Sequence, residues 1–225
     1  MSIKKSEVKL NVNGKSANGY LAEPEDGGPG VLVLHSWWGL KPLFKGICDQ
    51  LAEHGFVALA PDYYQGRIAN TIEEAETLLK NRDNELMDDT IKAAKDHLIS
   101  LRPGHPIGVL GFSMGASWAL DVAENDPDVA ATVLFYGVGG ADFHQVKSKV
   151  LGHFGEADEW EPLDGVQAIE QEMKNAGVDA TLHYYPKVHH WFVESDRPEY
   201  DSAAAKLAWE RTFEFLNMSL RNAGG

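Results

Sequence analysis

Ser113 stands between two glycines in Gly111-Phe112-Ser113-Met114-Gly115, the spacing Gly-x-Ser-x-Gly. A serine hydroxyl is a weak nucleophile until a neighbouring base takes its proton, so this spacing matters for where it puts the oxygen. It marks a sharp strand-to-helix turn that lifts the serine above a sheet edge. Glycines two before and two after let strand and helix approach without a Cβ clash. Ile107–Phe112 is apolar or glycine and runs directly into the turn, and a helical pattern follows it. The Met114 N–H then lies at a helix N-terminus, where it can stabilise a developing oxyanion. The chemistry such a residue performs is attack on a carbonyl carbon.

A base and an orienting acid must follow. Behind such an elbow the chain order is serine, then Asp or Glu, then His. Five histidines lie beyond Ser113: His144, His153, His183, His189 and His190. His183 and His153 fall within strand patterns and read as satisfied strand residues. His144 sits in a loop with no evident partner. His189 and His190 follow the last strand and Pro186, where the base is expected. For the acid, Glu156, Asp158 and Glu159 follow Val150–Phe154, and Asp158 is the best placed. Its carboxylate would fix the imidazole tautomer and stabilise the imidazolium.

The elements that must hold these residues alternate in kind. Residues 6–12 and 18–22 read as strands around Asn13-Gly14, a hairpin signal. Val31–Leu34 and Phe56–Ala60 are continuous apolar runs, as in strands buried on both faces. Between them Lys41–His54 is helical and stops at Gly55. Thr71–Leu101 holds one or two helices, opened by Thr71 and Glu74 at capping-box spacing. Strands are expected at Ile107–Phe112, Ala131–Tyr136, Val150–Phe154 and Ala180–Tyr185. Helices are expected at Met114–Glu124, Gly165–Asn175 and Ser202–Met218. The last has Leu207, Trp209, Phe213 and Leu216 roughly on one side. The fold class is α/β, a mostly parallel central sheet with helices on both faces, in a single domain 1–225. Such sheets place chemistry in the loops after their strands.

Composition narrows the partners. The 225 residues carry a net charge of −14 with no basic run, against nucleic acid or an anionic membrane as partner. No segment approaches the ~20 apolar residues of a membrane span. Met1–Lys9 is polar and lacks a signal's apolar centre, so a cytoplasmic protein is expected. Cys48, the only cysteine, reads as a small apolar core residue and can build neither a disulfide nor a thiolate metal site. Gly14-Lys15-Ser16 ends like a phosphate-binding loop, but Lys9 stands where its first glycine is required. No metal-ligand spacing appears, and no metal or cofactor is expected.

At this point the residues resemble the dienelactone hydrolase family, from about Gly30 to Phe215. VLVLHSWWGL (Val31–Leu40) is similar to the family's strand and oxyanion loop, and FVALAPDYY (Phe56–Tyr64) to its next strand. Phe154–Asp158 resembles the segment with the acid, and Tyr185–Phe192 the segment with the histidine. The resemblance implies an α/β-hydrolase fold and puts the catalytic role on His190, with His189 where the family usually has glycine. It implies the Trp37 N–H as second oxyanion donor. Ser36, Trp38, Tyr64 and Trp191 would line a substrate pocket. The best-known members use a cysteine nucleophile and a glutamate where this chain has Ser113 and Ser36. They bind a substrate carboxylate through arginines; Glu194 stands at one of those positions, and Arg82 is the nearest residue to the other.

The expected protein is therefore a serine esterase with a Ser113–Asp158–His190 triad, cleaving small carboxylic esters or lactones through an acyl-enzyme. The missing arginines favour a fairly neutral, partly aromatic or lactone substrate over a dianion. A thioesterase or acyl-peptide hydrolase on the same triad, or a non-catalytic ligand-binding relative, are the alternatives. The assembly would be a monomer or homodimer.

Overall fold

Asn13 and Gly14 both take positive φ, 51° and 79°, the backbone that a two-residue hairpin turn requires. The turn joins β1 (Ile3–Val12) to β2 (Lys15–Pro24) in one antiparallel ladder from Val12↔Lys15 to Ile3↔Pro24. Both strands outrun their expected bounds. Lys4, Lys5, Glu7 and Lys9 are exposed, so the ladder continues through residues that no apolar pattern marks. The computed structural model describes residues 2–221; the opening Met1 of the polar N-terminal stretch lies outside them.

Internal contacts divide the chain into two units, 1–107 and 108–225. In the first, the strands lie in the order β1-β2-β4-β3, where β3 is Gly30–Leu34 and β4 is Val57–Pro61. β4 runs antiparallel to β2 and parallel to β3. Every residue of β3 and β4 is buried, as their unbroken apolar sequence requires. Helix α1 (Pro42–Glu53) starts with proline in its first turn, buries Phe44, Ile47, Cys48, Leu51 and Ala52, and packs on β2 and β4. Gly55, at φ 84°, follows its end. The long helical region resolves into α2 (Ile72–Lys80) and α3 (Asn84–Leu101). The Thr71–Glu74 capping box is formed, and Asp83 caps the second helix through Leu86 N. Helix α3 packs against β1, β3 and β4.

In the second unit the strands are β5 (Ile107–Phe112, all but its first residue), β6 (Val129–Phe135), β7 (Lys149–Gly155) and β8 (Ala180–Tyr185), in that spatial order. The pairs β6/β7 and β7/β8 are parallel. Helix α4 (Met114–Asn125) packs on β6, α5 (Leu163–Asn175) on β8, and α6 (Ser202–Leu220) on β6 and β7. Strands alternating with covering helices are the α/β architecture expected from the sequence.

One face assignment is corrected. In α6 the buried stripe is Ala204, Ala205, Ala208, Thr212, Leu216, Ser219 and Leu220, while Leu207 is exposed. Small residues allow the helix to sit close to the sheet: a Cβ on Gly108 of β5 would be 3.2 Å from both Leu216 and Leu220. Trp209 and Phe213 flank that stripe, and Leu207 lies on the far side of the helix. Among the described residues no helix is long and apolar enough to cross a membrane.

Candidate active site

Ser113 caps α4 at φ 51°, ψ −118°. A non-glycine residue in that region costs of order 1–3 kcal/mol and persists only where its surroundings hold it. Two bonds do so: Ser113 N donates to Phe135 O at 2.9 Å, and Ala116 N donates to Ser113 O at 2.8 Å. The role read for the first glycine is visible directly. A Cβ on Gly111 would lie 2.2 Å from Gly115 O and 2.5 Å from Ala116 Cα. Met114 is the first residue of the helix, at the positive end of its dipole.

His190 follows β8 and Asp158 follows β7. Gly155 lets their loops meet: a Cβ there would lie 2.2 Å from Val188 O. Ala157 N donates to Val188 O at 3.0 Å across the same junction. His190 Nε2 then stands 2.9 Å from Ser113 Oγ, and His190 Nδ1 2.7 Å from Asp158 Oδ2. Asp158 Oδ1 accepts from Trp160 N and Glu161 N, each at 2.8 Å. The side chains of His190 and Asp158 are 4 % and 1 % exposed, so little water competes for these bonds. His189, the other histidine of the pair, points elsewhere and bonds Glu159 Oε1 at 2.8 Å on the surface. Of the other acid candidates, Glu156 and Glu159 are both exposed.

Aromatic rings surround His190. Tyr136, after β6, presents its ring at 4.9 Å and 64°. Its hydroxyl donates to Glu194 Oε1 at 2.9 Å, and burial, then the Glu194 charge, pushes it well above the usual tyrosine range. Glu194 is fully buried. Trp191 meets His190 edge-on at 4.9 Å and 86°, is 2 % exposed, and carries the Arg197 guanidinium 4.7 Å from a ring centre. Trp160 lies 6.5 Å from the imidazole and 5.5 Å from Trp191. Glu161 Oε2 accepts from Val138 N at 3.3 Å, and burial raises its carboxyl above the usual range. No sequence pattern marks Tyr136, Trp160 or Glu161 as a site residue. Each lies in a loop after a strand, which is the signal that locates Asp158.

The other expected site residues belong to the first unit. Ser36, Trp37 and Trp38 follow β3 in a tight turn where Gly39 N donates to Ser36 O at 3.2 Å. The two indoles meet at 5.5 Å and 67°. Ser36 is fully buried, Trp38 is 1 % and Trp37 7 % exposed. Tyr64 is fully buried against His35 and Tyr63, and burial pushes its hydroxyl up to about 12. Beside it, His35 stacks on Tyr63 at 3.7 Å and bonds Ser36 O through Nδ1 at 2.7 Å. His35 Nε2 is buried without a hydrogen-bond partner, and burial lowers this imidazole to about 3. Among the described residues no group of His, Cys, Asp and Glu could hold a metal ion.

A serine elbow after β5, an acid after β7 and a histidine after β8, on an α/β sheet, define the α/β-hydrolase class. The model of the dienelactone hydrolase family matches residues 17–220, and the chain belongs to that family. "Protein usf" of Aquifex pyrophilus is 38 % identical over 222 residues, covering 93 % of this chain and 96 % of that one. A protein of Aquifex aeolicus (strain VF5) named "Putative carboxymethylenebutenolidase" is 34 % identical, covering 95 % of this chain and 98 % of its own length. The crystal structure named "Putative Dienelactone Hydrolase" from Klebsiella pneumoniae subsp. pneumoniae MGH 78578 superposes with a TM-score of 0.84. It is 27 % identical and covers 96 % of this chain and 98 % of that chain. The resemblance drawn from the sequence is thus borne out at the level of family and fold.

Proposed function

We propose that this dienelactone hydrolase-family hydrolase cleaves small carboxylic esters or lactones with Ser113 as nucleophile, His190 as base and Asp158 as orienting acid. The observation that carries the reading is the unbroken chain of hydrogen bonds from Ser113 Oγ through both ring nitrogens of His190 to Asp158. Ser113 Oγ attacks the carbonyl carbon while its proton passes to His190 Nε2. The tetrahedral intermediate collapses as His190 returns that proton to the departing alkoxide, leaving an acyl-serine. Water, deprotonated by the same imidazole, hydrolyses it. The N–H groups of Met114 and Trp37 are the proposed oxyanion donors, and removal of one such donor typically costs ~10²–10³ in turnover.

Substrate preference follows from charge. The arginines through which the best-known family members hold a substrate carboxylate are missing at the corresponding positions, one of which is Glu194, and this argues against a carboxylate-bearing acyl group. Ser36, Trp38, Tyr64 and Trp191 remain the proposed substrate contacts, and all four are nearly or fully closed to solvent. A nitrophenyl-ester panel run on wild type and Ser113→Ala tests the reading. Turnover and a serine-directed phosphonate adduct are expected in the first and neither in the second. Turnover that survives in Ser113→Ala, or an adduct elsewhere, refutes it. Equal turnover of neutral and carboxylate-bearing esters refutes the stated preference.

A further inference from the structure

We propose that Trp160 forms the wall of the leaving-group subsite and selects a flat, uncharged, aromatic alcohol portion of the ester. The inference rests on the Ser113–His190–Asp158 reading. Trp160 is 46 % exposed, and it is the bulkiest of the exposed apolar side chains among the described residues. Burying such a ring is among the larger apolar gains open to a side chain, so an indole left half in water has a face to offer.

This indole is also held in place. Its own backbone N–H donates to Asp158 Oδ1 at 2.8 Å, which ties residue 160 to the acid. Its ring leans on Trp191 at 5.5 Å and 51°, and Trp191 is buried and itself packed edge-on against His190. The indole centre is 6.5 Å from the imidazole centre. A ligand surface anchored in this way loses little freedom on binding.

Position and charge give the class of ligand. His190 Nε2, 2.9 Å from Ser113 Oγ, must hand its proton to the departing alcohol, so that alcohol leaves beside the imidazole. Glu159 and Glu161 flank Trp160 in sequence, and Glu161 is partly buried while Glu159 reaches His189. Their charge disfavours an anionic leaving group. A neutral ring stacks on the indole with offset or edge geometry, worth about 0.5–1.5 kcal/mol beyond its area.

Three esters separate the possibilities: phenyl acetate, trifluoroethyl acetate and phenyl hexanoate. The first two share an acyl group, and the first and third share a leaving group. In Trp160→Ala, kcat/KM for both phenyl esters is expected to fall about tenfold, mainly through KM, with trifluoroethyl acetate within about twofold. Trp160→Phe should restore most of the loss. Any residue but proline keeps the N–H to Asp158, so thermal melting should change little. Equal loss on all three esters, or loss that follows the acyl chain, overturns the proposal. Ser113→Ala is run on the same panel. Its inactivity beside a uniform Trp160→Ala effect removes the Trp160 assignment alone, whereas residual turnover in Ser113→Ala removes both.

Discussion

Asp158 divides its two oxygens between His190 and the backbone. Oδ2 meets His190 Nδ1 at 2.7 Å, and Oδ1 is held by the N–H groups of Trp160 and Glu161. The loop that carries the acid thus also aims it. In Asp158→Asn the amide oxygen can keep both backbone bonds, but the amide nitrogen would face His190 as a donor. The imidazole would then present the wrong tautomer to Ser113. Ester turnover is expected to fall by about 10⁴ with the melting temperature little changed. Steady-state kinetics beside a thermal melt check both halves, and a loss under about tenfold would contradict the assignment.

Gly155 should tolerate no side chain. A Cβ there would lie 2.2 Å from Val188 O, at the junction between the loops of Asp158 and His190. Gly155→Ala is expected to lower stability by about 1–3 kcal/mol and to lower turnover as well. Gly165, in α5, has open space instead: a Cβ there would meet nothing within 4 Å. Gly165→Ala should leave turnover unchanged and stabilise by roughly 0.5–1 kcal/mol. Urea midpoints and ester kinetics on the pair test the contrast.

Acid should destabilise the fold through two buried imidazoles. His35 is lowered to about 3 by burial, and His153 well below 6.5, again by burial first and then by His183 and Arg211. Both are neutral when folded. Below about pH 6.5 the unfolded chain binds protons that the folded chain refuses, so stability falls as pH drops. For His35 the loss runs from about pH 6.5 to about 3 and is complete below that. One such group contributes a slope of up to about 1.4 kcal/mol per pH unit. Denaturant midpoints between pH 7 and 4 should decline less steeply in His35→Gln than in wild type.

Tyr136→Phe removes the hydroxyl that donates to buried Glu194. Loss of a hydrogen bond to a carboxylate is expected to cost about 1.5–3 kcal/mol. The ring packing against His190 stays in place, so turnover should change less than stability. Urea unfolding and ester kinetics on this variant give the two numbers.

The strands nearest the chemistry are the most legible in the sequence. Ile107–Phe112 and Ala180–Tyr185 match their expected bounds because turns and helix signals close off both ends. Strand β6 begins earlier than expected, at Val129, where polar and charged neighbours blur the apolar run. The α6 face departs from its apolar pattern at Leu207, which is exposed, while alanines and Thr212 share the buried stripe with Leu216 and Leu220. At the site, spacing alone leaves His189 and His190 open, since both follow the same strand. Their burial separates them: His190 is enclosed with both ring nitrogens engaged, and His189 is exposed on Glu159. Trp160 escapes a reading of the sequence because the exposure of one loop side chain depends on tertiary packing that no local pattern records.

Cys48 has a use outside any chemistry of the site. It is the chain's only thiol, fully buried in α1, and burial raises it far above the range where thiolates form. A folded molecule therefore gives a thiol reagent nothing to attack, and two copies have no route to a disulfide. The rate at which such a reagent labels the protein under native conditions becomes a clock for the opening of the first unit.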